Sequence, residues 1–266
     1  DEFINYFIIP MGAAIWSTPA NKVLDMPAYF FIKFFYNHGM LEVVNRPKWW
    51  VIKNGSKSYI EKITIGFKNK ILLSTPVKKV LRENNKIIIN SYSNKNDTHH
   101  EEEFDSVIFA THSDQALEML HDSSPQEKDI LGSIPYQKNE VLLHTDSSVL
   151  PRRKLAWASW NYQLDSDPGK PVVLTYNMNI LQSIECDETF CVTLNNQQLV
   201  DKDKVLKKII YHHPLFSVEG IQAQKRKSEI NGVNNTFYCG AYWHNGFHED
   251  GVVSALEVCK HFGESL

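Results

Sequence analysis

The fifteen residues HNGFHEDGVVSALEV, His244 to Val258, bring two histidines, two acids and two glycines into eight positions before an apolar run spaced for a helix. Three chemistries fit those residue types. A metal would draw on His244 and His248, four apart, with Glu249 and Cys239 completing the ligands. Gly246 interrupts that spacing, however, and the helical apolar pattern begins only at Val252. Acid/base work would draw on Glu249 and Asp250 beside His248, although adjacent carboxylates in a turn more often cap a helix. The spacing best supports an anion seat. Tyr238-Cys239-Gly240 ends a strand, a loop crosses, and Asp250 caps a helix whose first turn, Gly251-Val252-Val253, offers unpaired N–H groups at the positive end of its dipole. Val252, Ala255, Leu256, Cys259 and Phe262 would then pack that helix down.

The elements that must position this stretch are of mixed type. Phe3 to Trp16 is apolar and irregular, Pro19 and Pro27 mark helix starts, and Gly39 marks a stop, so the first forty residues read as mainly helical. Asn54-Gly55 is a turn, and Tyr59, Ile60 and Ile63 suit a short helix. Two β-rich runs flank Glu83-Asn84-Asn85 as a hairpin. A charged loop with His99, His100 and three glutamates leads into an apolar strand, Val107 to Ala110, that runs into a helix. From Glu140 to Asn195 the segments VLLHT, AWASWNY, VVLTYNM and CVTL read as an antiparallel sheet. Val205 to Tyr211 is expected to be helical, and NTFYCGAY is a strand. Strand-turn-helix elements near residues 107 and 236 thus flank the antiparallel block, which makes it an insertion within an α/β domain.

Composition narrows the function classes. The chain has 266 residues, 42% of them hydrophobic, enough for a substantial core, and a net charge of −3 from 28 basic and 31 acidic side chains. Like-charge clusters are no longer than three residues, so nucleic acid is not an expected partner. Cys186, Cys191, Cys239 and Cys259 show no CxxC pair and read as reduced thiols of a cytoplasmic protein. The most apolar run, Ala28 to Tyr36, contains Lys33 and is far short of the ~20 residues of a membrane span. It reads as a buried or surface-dipping helix, compatible with a peripheral membrane contact. The chain opens at Asp1 with neither an initiator Met nor a basic region leading into an apolar segment. The expectation is a piece of something longer, without a secretory leader.

VLLHTDSSVLPRRKLAWASWNY, VTLN, YHHPLF and FYCGAYWHNGFHEDGVVSALEV resemble the C-terminal two-thirds of the flavin-containing amine-oxidase-like proteins, in the bacterial branch of predicted NAD/FAD-binding oxidoreductases. The resemblance implies an α/β (α+β) fold: a partial FAD-binding domain of the glutathione-reductase type, with an inserted substrate domain of antiparallel sheet and helix. Residues 1–50 would be a helical part of the substrate domain, 51–115 FAD-binding, 116–230 the substrate domain with its sheet, and 231–266 the last FAD-binding strand and helix. The implied cofactor is FAD. Val77 would meet the adenine, the strand ending at Ala110 would run to the cofactor, Gly240 and Ala241 would lie near the ribityl and phosphate groups, and Asp250, Gly251 and Val252 would set a helix start beside the pyrophosphate or the flavin.

Phe247 and His248 fall where the amine oxidases have an aromatic cage, with His244 nearby, and these three are the catalytic candidates. His248 is not the cage tyrosine, which argues against simple amine oxidation. The implied reaction is hydride transfer from an organic substrate to flavin N5, the branch being associated with fatty-acyl lipid modification. The family's opening GxGxxG unit is missing, since no two of the twelve glycines are separated by one residue. A chain without it is expected to pair with an N-terminal partner segment or a second copy, or else to serve as a non-catalytic scaffold or interaction module. A metal protein built on Cys239, His244 and His248 is the remaining alternative. Trp157, Trp160, Tyr162 and Tyr176 are either pocket walls or sheet core. Lys138, Lys225 and Lys227 are candidates for a lysine near N5 or solvated surface groups. His144 reads as a hydrogen-bonded sheet residue rather than a base, and His212-His213-Pro214 as a loop with a pocket role open to it.

Overall fold

A computed structural model of the chain describes residues 2–48, 50–163 and 173–266; Trp49 and the start of the VVLTYNM segment lie outside them. In the first stretch a π-helical turn, Ile4–Ile8, leads into α1 (Ile9–Trp16), followed by α2 (Ala20–Val23), α3 (Ala28–Asn37) and α4 (Lys57–Ile63). The second stretch holds β1 (Val77–Glu83), β2 (Lys86–Ser93), β3 (Thr98–Phe104), β4 (Val107–Phe109), α5 (Ser113–Met119) and α6 (Pro125–Gly132). The third holds β5 (Tyr136–His144), β6 (Trp160–Gln163), β7 (Val173–Asn177), α7 (Met178–Gln182), β8 (Cys191–Leu194) and β9 (Val205–Pro214). The last holds α8 (Val218–Lys225), β10 (Thr236–Tyr238) and α9 (His248–Cys259). Helices and sheets are thus mixed as an α/β chain requires.

These stretches form two compact units, each discontinuous: residues 1–66 with 137–213, and residues 67–136 with 214–266. The chain passes between the two units after residues 66, 136 and 213. In the first unit the sheet order is β6-β7-β8-β5-β9, with β6–β7, β7–β8 and β8–β5 each paired antiparallel. Leu174 at its centre is fully buried against Ala13, Ala14 and Val23 of the helices. In the second unit β1, β2 and β3 make an antiparallel sheet, and β10 pairs with β4 in parallel, Phe237 opposite Ile108. Val80, Ile87, Phe109, Ile130, Leu131 and Tyr238 are at the centre of its core.

Local sequence explains most of these elements. Asn84 and Asn85 both take positive φ, 51° and 61°, and two such residues in succession make the tight turn that the right-handed twist of β1 and β2 favours. Phe3 to Trp16 is helical, in keeping with the mainly helical first forty residues: its apolar residues surround the axis, so no stripe marks the period, and α1 is buried from Gly12 to Trp16. Two expectations are overturned. The charged segment 98–104 is the strand β3, because the isoleucine-rich β2 leaves an edge to pair and the β3 side chains all stay exposed. Residues 205–214 form β9. Val205, Leu206, Ile209 and Ile210 repeat at helical spacing, but the segment runs beside β5 as the last strand of its sheet, with Lys207 and Lys208 on an edge where lysine discourages further pairing.

Candidate functional site

The stretch from Tyr238 to Val258 is a strand-turn-helix unit. Cys239 N donates to Phe109 O (3.0 Å), carrying the β10–β4 pairing one residue further. At Gly240 a β-carbon would come within 2.5 Å of the Tyr242 ring, so the close approach of that ring demands glycine. Gly240 N donates to the buried Ser254 Oγ (2.8 Å), which donates to Gly251 O (2.9 Å), tying the turn to α9. The helix starts earlier than expected. His248 is its first residue, and Asp250, in the third position, reaches back to accept the Phe247 N–H (2.9 Å). Gly251 N is spent on Phe247 O (3.1 Å). The first turn therefore consists of His248, Glu249 and Asp250, whose two carboxylates already occupy the positive end of the dipole. This corrects the anion seat expected at Gly251-Val252-Val253: those residues lie inside the helix. A β-carbon on Gly251 would meet nothing within 4 Å, and Val252 is exposed.

Among the described residues no group of three or more His, Cys, Asp or Glu side chains could hold an ion. Burial pushes the Cys239 thiol up, as for a small apolar side chain in the core. His244 Nε2 instead lies 3.7 Å from Glu257 Oε1, and Lys227 Nζ pairs with Glu257 Oε2 at 2.7 Å beneath the Trp243 ring. Lys225 reaches Gln222 (3.3 Å), and Lys138 lines a polar cleft with Glu140 and Asn195. Phe247 is half-buried and His248 exposed.

Two of the expected cofactor residues do meet. Val77 at the start of β1 and Ala110 just beyond β4 both line a cleft of about 570 Å³ in the unit of residues 67–136 and 214–266. Ile89 and Ile108 give it apolar walls, and Gln115 and Met119 close it from α5. Those α5 residues, with Glu118, carry a signal that sequence reasoning missed: positions i, i+3 and i+4 of a helix following directly on a strand face back toward it. The α5 start is fixed by Tyr136, whose Oη accepts from Ser113 N (3.0 Å) while its ring stacks on His112 at 4.4 Å. Gly240, Ala241, Asp250, Gly251 and Val252 are not among the cleft's lining residues.

The other unit has an apolar cleft of about 440 Å³ between its N-terminal helices, with Phe3, Phe7, Phe31, Phe35 and Leu41 among its walls. Trp160, Tyr162 and Tyr176 do not line it. They pack on the core around Leu174, with Trp160 edge-on to its cross-strand partner Tyr176 at 5.5 Å, and burial pushes the Tyr176 hydroxyl up to about 12. Trp157 donates to Pro151 O (2.8 Å). His144 is buried in the sheet: its Nδ1 accepts the Asp146 N–H (3.1 Å), so Nε2 carries the proton toward Thr193 Oγ1 (2.8 Å). Burial lowers its pKa despite nearby Asp146, which suits this neutral form. His212 and His213 belong to β9, and His213 Nδ1 meets Asn139 Nδ2 at 2.9 Å.

No protein-family model matches the chain, and no curated protein matches it in sequence. Among solved structures it is similar to the CLA-producing fatty acid isomerase from P. acnes, with a TM-score of 0.61 and 13% identity over 96% of this chain. The chain spans 62% of the length of that isomerase. A second structure, RebC-10x in native and K252c-bound form, aligns with 64% of the chain and 32% of its own at 9% identity and a TM-score of 0.33. The first likeness establishes a shared fold; the second is too low to carry weight. Among the described residues no helix is long and apolar enough to cross a membrane.

Proposed function

We propose that the chain forms part of an FAD-dependent oxidoreductase of the amine-oxidase-like kind, acting on a fatty-acyl substrate. The observation that carries this reading is the meeting of Val77 and Ala110, 33 positions apart, in one apolar cleft. The family resemblance expects Val77 to meet the adenine of FAD and the strand ending at Ala110 to run to the cofactor. Apolar walls with the Gln115 amide at one side suit a flat base that needs a hydrogen-bonding partner at its edge. The pyrophosphate is less well served. Gly240 N is bonded to Ser254, and Glu249 and Asp250 oppose an anion at the start of α9. The diphosphate therefore calls for donors from an N-terminal segment or a second copy.

Bound FAD would supply a hydride acceptor for a substrate carbon, while the chain's own residues bind and exclude water. The fatty-acyl assignment is supported by the cleft between Phe7, Phe31 and Phe35, an apolar space without a charged wall, and by the fold shared with a fatty acid isomerase. The two acids at the start of α9 favour a second reading, a scaffold that binds no flavin. Flavin absorbance retained through desalting separates the two. The wild-type chain is expected to retain or take up FAD, and Ala110→Arg, which fills the cleft from an exposed position, to weaken uptake by about tenfold or more. A chain that ignores FAD would sink the flavin reading and leave the scaffold.

A further inference from the structure

Residues 41–66 pose a physical problem. None of the described residues in this stretch is buried, yet it carries Leu41, Val43, Val44, Trp50, Ile60 and Ile65 among its apolar side chains. Val43, Trp50 and Ile65 are 88%, 79% and 76% exposed. Within it α4 is amphipathic in sequence, with Tyr59, Ile60 and Ile63 on one side and Lys57, Glu61 and Lys62 on the other, but its apolar side faces solvent. An exposed apolar stretch of this size calls for a partner that buries it.

Charge identifies the partner. The stretch holds five basic side chains, Arg46, Lys48, Lys53, Lys57 and Lys62, against two acids, Glu42 and Glu61. Its net charge of +3 stands in a chain whose total is −3. Protein interfaces deplete lysine from their apolar centres, whereas here lysine alternates with apolar residues along the whole stretch. A bilayer surface suits that alternation: apolar side chains enter the acyl region, lysine stems reach back to the headgroups, and Trp and Tyr sit at the boundary. Lys48 already lies over the Trp50 ring at 4.5 Å.

We infer that residues 41–66 dock the protein on an anionic phospholipid surface. Leu41, where the stretch begins, also lines the apolar cleft among the N-terminal helices, so the docked segment leads to a space that fits an acyl chain. The inference does not depend on flavin binding, and cofactor-free protein tests it.

The experiment is cosedimentation of the chain with vesicles of phosphatidylcholine alone and of phosphatidylcholine with about one-third phosphatidylglycerol. Binding is expected to the anionic vesicles, to weaken with salt, and to be about tenfold or more weaker on neutral ones. Ile60→Ser/Ile63→Ser and Lys53→Gln/Lys57→Gln/Lys62→Gln change exposed side chains only, and circular dichroism should remain that of wild type. Each is expected to lower anionic-vesicle binding by about tenfold or more. No binding to anionic vesicles would overturn the inference, as would binding that neither variant alters. A wild-type dimer that Ile60→Ser/Ile63→Ser turns into a monomer, without vesicle binding, would assign the stretch to a second copy of the chain.

Discussion

Glu127 shows how far a single side chain can tie elements together. Only 2% exposed, it accepts from Arg82 Nη1 and Nη2 (2.6 and 2.9 Å), from Tyr238 Oη (2.6 Å) and from Ser124 N (2.7 Å), joining β1, α6 and β10. Burial alone would raise its pKa, but the hydrogen bonds from Arg82, Tyr238 and Ser124 outweigh burial and hold it below its ordinary 4.5. Arg82→Met would strand that carboxylate, and a loss of about 3–5 kcal/mol in urea unfolding is expected. Arg82→Met/Glu127→Leu should recover part of it, because no buried charge is then left alone. Asp146 belongs to the same class. Burial opposes its charge, yet N–H bonds from Asp201 (2.9 Å) and Ser148 (3.1 Å), with Lys204 nearby, hold its pKa down at about 2, against an ordinary 3.8. A lowered carboxylate pKa stabilises the fold above the unfolded value, and that contribution is lost as pH falls through the folded one. Stability should therefore fall between about pH 4 and pH 2, and Asp146→Asn should flatten this part of a stability-against-pH curve. An unchanged slope would remove Asp146 from the account.

Among the elements, α9 offers the sharpest separation of structural from functional roles. Gly251 lies inside the helix with an ordinary backbone conformation and open space where a β-carbon would stand. Gly251→Ala should raise the unfolding free energy by roughly 0.4–1 kcal/mol through the unfolded chain's entropy. If a cofactor approaches this turn, the same methyl weakens FAD uptake while the apo chain gains stability; equal uptake would detach Gly251 from the cofactor site. The outcome also bears on what the sequence could convey about this element. Its strand, turn and apolar face were legible because Gly240 and the run from Val252 are local signals. Its first residue was not, because Asp250 looks like a cap and acts instead from the third position. The same division holds elsewhere. The Asn84-Asn85 turn is written in two adjacent residues, whereas β3 and β9 exist through neighbours distant in sequence that no local period announces. Val77 and Ala110 came from resemblance, and the α5 wall of their cleft emerged only when the helix was seen folding back on its strand.

At the level of the whole molecule, chain order and unit order disagree, and that disagreement can be tested. The unit that holds the Val77–Ala110 cleft is made of residues 67–136 and 214–266, interrupted by the 77 residues from Gln137 to His213. The interruption leaves and returns at one place: Leu215 N donates to Pro135 O at 2.8 Å. Two backbone points one hydrogen bond apart can be joined by a tight turn, the geometry that allows domains to be inserted into or removed from one another. The core of this unit, with Val80, Ile87, Ile130, Leu131 and Tyr238, lies wholly within its two segments, as does the Arg82–Glu127–Tyr238 network. A chain of residues 67–136 and 214–266 linked through Asn-Gly should therefore fold, and unfold cooperatively in urea. Arg82→Met should destabilise it by about as much as in the full chain, within about 0.5 kcal/mol, because additivity holds where no partner is shared. A linked chain that stays unfolded would mean that residues 137–213 are needed to stabilise the cleft-bearing unit. A folded one that loses the Arg82 effect would mean that the network depends on that segment for its geometry.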